Sequence, residues 1–185
     1  MARVNRRELL SETDIQVVHF VNRCVRRGFL CGDDDVSGKN FDHRRLWIRN
    51  RLEFLAGVFG VEVLGFAVMS NHFHVVLRSR PDAVSEWADA EVAKRWGNLF
   101  PSRRDDDGTA ADPTEFELNA IANDKVKLVE IRKRLGSISW FMRCTSEVIA
   151  RRANAEEEVH GAILGRSLQS YGFGNRRSRG CLYGL

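Results

Sequence analysis

The chain has 185 residues, of which 43% are hydrophobic and 29% are charged, and it carries a net charge of +4 with an isoelectric point of about 9.1. This length and this ordinary composition predict one compact globular domain. No apolar run approaches the roughly 20 residues that a bilayer span requires, and the opening sequence MARVNRRELL lacks the apolar segment of a secretory signal. We therefore expect a cytoplasmic protein without a membrane partner.

The first part of the chain predicts a strand, a helix and a hairpin, in that order. Residues 14–23 are rich in β-branched and aromatic side chains and predict a strand. Residues 42–59 predict a helix with one apolar face, formed by Ile48, Leu52, Leu55 and Phe59. Two apolar runs at 61–69 and 72–79 are separated only by Ser70 and Asn71, which is typical of a β-hairpin.

The second part of the chain is predicted to be mainly helical. Residues 86–100 and 118–158 have helical spacing of apolar side chains, and the polar segment between them, about 101–116, predicts an inserted loop. This order indicates an α+β fold in which helices pack on one face of an antiparallel sheet, in the ferredoxin-like or RNA-recognition-like manner, with a C-terminal helical region. We assign residues 1–160 to this domain and expect 161–185 to be an irregular, non-native tail.

One short motif, His72-Phe73-His74, is a candidate metal-binding motif. Side chains alternate along a strand, so His72 and His74 are expected on one face and Phe73 on the other. Their Cα atoms would lie about 6.5–7 Å apart, a separation at which two imidazoles can bind one divalent ion. The spacing alone leaves open that both histidines are surface residues without a ligand role.

The surrounding sequence, GFAVMSNHFHVVLRS, resembles the signature of the REP-associated tyrosine transposases, bacterial members of the HUH single-tyrosine superfamily. The similarity extends upstream over residues 17–59 and downstream over 138–157, so that it covers roughly residues 14–160. The resemblance implies that His72 and His74 bind Mg²⁺ or Mn²⁺, which polarises a scissile phosphate of single-stranded DNA, commonly beside a hairpin. It also implies a transposase that cleaves and transfers the strand through a 5′-phosphotyrosine. Imidazole ligands favour Mn²⁺ over Mg²⁺.

The tail departs from this family. The family places its nucleophilic tyrosine beyond a Trp-x-Gly-Arg-Phe motif that this chain lacks, and the two tyrosines present, Tyr171 and Tyr183, lie in a glycine- and arginine-rich segment and are weak catalytic candidates. With permitted codons for Ile163 to Ser170, reading from the second base yields Phe-Trp-Glu-Gly-Arg-Phe-Lys, which contains the missing motif. We interpret the tail as the product of a frameshift near Gly161 and expect a catalytically defective copy.

Several arginines could contact DNA phosphates, although solvated surface arginines are an equal alternative. They are Arg23, Arg26, Arg27, Arg44, Arg45 and Arg78. His19 could approach the metal face, but a structural, hydrogen-bonded histidine is the commoner case. The four cysteines have no metal-binding spacing and are expected to be reduced thiols.

Two other functions stay open beside the transposase hypothesis. The chain could be a noncatalytic module that binds single-stranded or hairpin DNA through its sheet, or a metal-binding protein that does not use DNA. A homodimer is also left open, and the sequence does not name the third metal ligand.

Overall fold

The computed structural model describes residues 11, 13–24, 30–35, 37–106, 108–157 and 164–173, the last ten by their backbone only. The strands are β1 (Val17–Cys24), β2 (Asp33–Asp34), β3 (Lys39–Asn40), β4 (Val61–Val68), β5 (His72–Ser79) and β6 (Leu164–Phe173). The helices are α1 (Arg44–Val58), α2 (Pro81–Glu86), α3 (Asp89–Leu99), α4 (Glu115–Asn123), α5 (Lys125–Leu135) and α6 (Ile138–Glu156). No helix in the described part of the chain is long and apolar enough to cross a membrane.

The main sheet has four antiparallel strands in the order β4-β5-β1-β6, and β2 and β3 form a small separate hairpin. With α1 between β1 and β4, and further helices between β5 and β6, this is the β-α-β-β-α-β arrangement of ferredoxin-like folds. The predicted α+β class and the predicted hairpin are confirmed.

The core lies between one face of the sheet and the helices. Phe73, Val75 and Leu77 alternate along β5 and have no exposed surface. The apolar face predicted for the first helix is buried against them as expected, and it comprises Ile48, Leu52, Leu55 and the flanking Phe59. Burial of these side chains supplies most of the free energy of folding and fixes which face of the sheet turns away from the helices.

The helix predicted at 86–100 is present as α3, which begins after Trp87 and Ala88, both of extended backbone conformation, and the short helix α2 before it was not predicted. The segment predicted to be helical at 118–158 is interrupted in the structure. It is divided into α4, α5 and α6, because Asp124 and Ser137 each accept a hydrogen bond from a backbone N–H and start a new helix. The loop predicted at 101–116 ends slightly earlier, where Thr114 caps the first turn of α4.

The tail was predicted to be irregular, and for Leu164–Phe173 this prediction is wrong. These residues form β6, which pairs antiparallel with β1 from Val17 opposite Phe173 to Cys24 opposite Leu164. The physical reason is that the edge of β1 presents backbone N–H and C=O groups that any extended segment can pair with, whatever its side chains. Residues 174–185 lie outside the described part of the chain.

Candidate metal and nucleic-acid site

The candidate site lies on the face of the sheet that turns away from the core. Strand alternation places His72 and His74 together on this face, both partly exposed, while Phe73 between them is fully buried. The two imidazole ring centroids are 4.9 Å apart, with the rings at 66° to each other. The predicted shared face is thus present, and the buried Phe73 anchors the strand that carries it.

His72 is held by its neighbour in the chain. The Nδ1 atom of His72 lies 2.5 Å from the Oδ1 atom of Asn71, at the turn between β4 and β5. Burial lowers the pKa of the His72 imidazole, and the charges of His74 and Arg23 lower it further. A lowered pKa favours the neutral ring, which is the form that binds metal ions.

His19 approaches the same site from β1. In the register of β1 with β5, Val21 lies opposite His74 and His19 lies opposite Val76, so His19 reaches His74 diagonally. The Nε2 atom of His19 is 2.8 Å from the Nδ1 atom of His74, and the two rings are inclined by only 18°. Burial lowers the pKa of His19, and the neighbouring His74 lowers it further. His19 is therefore a hydrogen-bonded histidine, as the commoner case predicts, and it also lies next to the metal face, because its partner His74 is a candidate metal ligand.

The donor atoms fit a transition-metal ion better than Mg²⁺. Two imidazoles are borderline-soft ligands that suit zinc, copper, iron or nickel and that favour Mn²⁺ over Mg²⁺, which prefers oxygen donors. Within the described ranges, no three His, Cys, Asp or Glu side chains are placed to bind one ion together. Of the described residues, His72 and His74 are therefore the two that would hold such an ion, and further positions would be open to water or to phosphate oxygens.

Two of the predicted arginines lie on the same face. Arg23 is exposed and lies opposite His72 in the pairing of β1 with β5. Arg78 follows His74 on the same side of β5, but its guanidinium forms an ion pair with Glu62 on β4. Since Glu62 already neutralises Arg78, Arg23 is the better placed of the two for a phosphate.

Arg44 is a correction to the predicted set of DNA-contacting arginines. Its side chain has no exposed surface, because it lies under the end of α6. Its Nε atom is 2.8 Å from Glu156, a second nitrogen is 2.5 Å from Glu157, and its Cζ atom is 3.9 Å from the centre of the Phe41 ring. A guanidinium enclosed in this way cannot reach a phosphate, so Arg44 is a structural residue.

The other predicted residues are distributed differently. Arg45 is exposed, pairs with Asp42 at 2.9 Å and donates to the Val68 carbonyl at the end of β4, which places it beside the hairpin turn and not among the histidines. Tyr171 lies in β6 with its backbone opposite His19. Three of the predicted site residues lie outside the described part of the chain, and they are Arg26, Arg27 and Tyr183.

Sequence reasoning missed two contributors to this face. The sequence predicts Asn71 as part of the turn and of the motif but without a role, although its position directly before His72 is the signal that identifies it as a partner of the ring. Glu62 has no signal in the sequence, because its contact with Arg78 depends on the pairing of β4 with β5, where the two residues lie opposite each other.

Comparison with known proteins leaves this site to be interpreted from its own geometry. No protein-family model matches the chain. No curated protein is significantly similar to it in sequence.

Proposed function

We propose that the face bearing His72 and His74 binds one divalent transition-metal ion together with single-stranded DNA, in the manner of the HUH single-tyrosine transposases that the sequence resembles. In that family the bound ion polarises a phosphate of the DNA strand that is to be cut. The proposal rests on the geometry of this face and on the sequence motif.

One observation carries the proposal. Both imidazoles use their Nδ1 atoms for hydrogen bonds, to Asn71 and to His19, and no described residue bonds to either Nε2 atom. Two adjacent rings on a rigid strand therefore have their remaining nitrogen atoms available for a ligand. Surface histidines without a role have no need of such partners, whereas metal ligands are commonly oriented through the second ring nitrogen.

The face also has charge and space for a nucleic-acid strand. Arg23 brings a positive charge next to His72, where it can neutralise a phosphate and release its counterions. On the other side, β4 presents small residues: Ala67 lies opposite His74, and Gly65 lies opposite Val76. Nothing lies within 4 Å of the point where a Cβ atom on Gly65 would sit. A backbone phosphate could therefore approach the histidines from this side.

The reaction of the family further requires a tyrosine held in line with the scissile phosphate. We propose that this chain binds metal and DNA but does not complete the covalent step, because the family's tyrosine helix and its preceding motif are absent from the sequence. A noncatalytic binding module would use the same face. Manganese-dependent nicking of a hairpin oligonucleotide separates an active transposase from such a module.

The first experiment measures Mn²⁺ binding by electron paramagnetic resonance or calorimetry. The double variant His72→Ala/His74→Ala is expected to lose binding while its far-UV circular dichroism is unchanged. His43→Ala is the matched control, since His43 is an exposed histidine at the start of α1, paired with Glu156. Unchanged Mn²⁺ affinity in the double variant would show that the metal site has been assigned to the wrong residues.

The second experiment measures DNA binding by fluorescence anisotropy, using one labelled sequence as a single strand, as a hairpin with a single-stranded flank and as a duplex. The single strand and the hairpin are expected to bind more tightly than the duplex, and Mn²⁺ is expected to increase the affinity for wild type only. Equal affinity for all three forms, with no effect of Mn²⁺, would favour a metal-binding protein that does not use DNA.

A further inference from the structure

We infer that His19 and Asn71 are positioning residues that set the tautomers of His74 and His72, so that both ligand rings present an unprotonated Nε2 atom to the same metal ion. This inference rests on the proposed metal site and extends it to two residues that would not touch the metal. It also assigns the coordinating atom of each ring, which strand alternation alone does not determine.

The atom that Asn71 presents to the ring of His72 fixes the tautomer of that ring. The partner of His72 Nδ1 is the amide oxygen Oδ1, and an amide oxygen can only accept a hydrogen bond. The proton of the neutral imidazole must therefore reside on Nδ1, which leaves the lone pair on Nε2. Because Asn71 ends the turn and His72 begins β5, the ring is oriented by the backbone of the hairpin itself.

The contact between His19 and His74 is more informative, because each nitrogen can be donor or acceptor. If His19 Nε2 donates, His74 carries its own proton on Nε2 and cannot bind a metal ion there. If His74 Nδ1 donates, its Nε2 is free to coordinate and His19 must hold its proton on Nδ1. Metal binding at His74 thus selects the second arrangement, and the tautomer of His19 changes with it. The 2.8 Å separation and the small 18° inclination of the rings suit such an in-plane N–H···N bond.

The same geometry argues against His19 as a third ligand. Its Nε2 atom points at His74 Nδ1, and within the described ranges no group of three potential ligands converges on one point. Both strands are tied into the core behind the site by Phe20 on β1 and Val75 on β5, which lie directly opposite each other. His19 is therefore held where it can orient its neighbour, which is the arrangement that metal-bound histidines commonly show with an outer partner.

The test compares variants that keep or remove the acceptor. His19→Phe keeps an aromatic ring but removes the acceptor nitrogen, and Asn71→Ala removes the acceptor amide. Each is expected to weaken Mn²⁺ binding about 10- to 100-fold, the usual effect of losing the hydrogen-bond partner of a metal-binding histidine. Asn71→Asp, which keeps an acceptor oxygen, is expected to restore binding. If His19→Phe does not fold, His19→Gln, which retains an acceptor oxygen, is expected to bind Mn²⁺ with nearly wild-type affinity.

A spectroscopic measurement on the metal-free protein reports the tautomers directly. Imidazole ¹⁵N chemical shifts at pH 8 are expected to show Nδ1-protonated His72 in wild type and a mixture of tautomers in Asn71→Ala. With Zn²⁺ as a diamagnetic probe, His19 is expected to show its proton on Nδ1. Wild-type Mn²⁺ affinity in His19→Phe and Asn71→Ala, alongside lost binding in His72→Ala/His74→Ala, would overturn the positioning roles and leave the metal site standing. Unchanged binding in the double histidine variant would overturn both.

Discussion

The Nε atom of Arg44, at the first turn of α1, lies 2.8 Å from a carboxylate oxygen of Glu156, at the last turn of α6. Glu157 adds a second carboxylate to the same guanidinium at 2.5 Å. The arginine is completely enclosed, whereas about 30% of each glutamate side chain is exposed. This cluster joins two helices across 112 residues of sequence, and it explains why Arg44, which was predicted to contact DNA, serves the fold instead.

Removal of the carboxylates is expected to cost more stability than removal of the arginine. Glu156→Gln/Glu157→Gln leaves a buried cation without its described counter-charges and should lower the free energy of unfolding by about 3 kcal/mol. Arg44→Met should cost less, because water can solvate the partly exposed glutamates that it leaves behind. Urea denaturation measures both, with the exposed Arg45→Met as a control. A larger loss in Arg44→Met than in the double glutamine variant would contradict this account, as would weaker DNA binding by folded Arg44→Met.

Arg23 and Arg78 are expected to contribute unequally to DNA binding. Arg23→Gln should weaken the binding of single-stranded DNA and should reduce the slope of log affinity against log salt by about 0.7, the contribution of one neutralised phosphate. Arg78→Gln should change the slope less, because Glu62 already pairs with Arg78. Anisotropy titrations over a series of salt concentrations give both slopes. Equal slopes for wild type and Arg23→Gln would exclude a phosphate contact at Arg23.

The small residues of β4 offer an independent check of the path by which DNA approaches. Ala67 is exposed and lies opposite His74, so Ala67→Ile adds bulk beside the metal ligands without a change of charge. It should weaken DNA binding about tenfold, which corresponds to 1.4 kcal/mol, while Mn²⁺ affinity is unchanged. Ala90→Leu, at an exposed position of α3, is the control for added apolar surface. If Ala67→Ile binds DNA like wild type, the strand does not pass over this side of the sheet.

The covalent step is expected to be absent. Tyr171 lies opposite His19 in the sheet, but it belongs to a β-strand, whereas the family that the sequence resembles carries its nucleophile on a helix that aligns it with the scissile phosphate. The chain should therefore form no DNA adduct on a denaturing gel, even with Mn²⁺ and a hairpin substrate. Correcting the proposed frameshift near Gly161, so that the downstream reading frame is restored, should recover the adduct. A DNA-shifted band from the present chain that disappears in Tyr171→Phe, and persists in Tyr183→Phe, would instead identify Tyr171 as the nucleophile.

The cysteine thiols of the described chain are expected to be unreactive. Cys31 has no exposed surface, and burial raises its pKa to about 11, with Cys24 affected in the same way. From the ordinary thiol pKa of 9.0, this shift leaves about 100-fold less thiolate at pH 8. In a Cys181→Ser background, a disulfide reagent should react slowly with the folded protein and rapidly after denaturation. Rapid labelling of folded protein would contradict the burial of Cys31. Because the pKa values of these two thiols are raised in the folded protein, their contribution to the free energy of unfolding is complete below about pH 9 and is lost as the pH rises toward 11.

The sequence by itself determined those features that depend on local periodicity. Alternation along 72–79 is a property of any strand, so the shared face of His72 and His74 followed without knowledge of their neighbours. The apolar face that Ile48, Leu52 and Leu55 form on α1 followed in the same way, as did the hairpin around the turn that contains Asn71.

Only the tertiary structure decided the features that depend on pairing between distant segments. The bond between His19 and His74 requires one particular register of β1 against β5, and shifting that register by one residue would turn His19 to the core face. The burial of Arg44 requires the end of α6 to lie over the start of α1, and the pairing of β6 depends on an open edge of β1. In each case the side chain or segment is compatible with several environments, and the choice among them is made by contacts in the folded chain between residues that no sequence window contains.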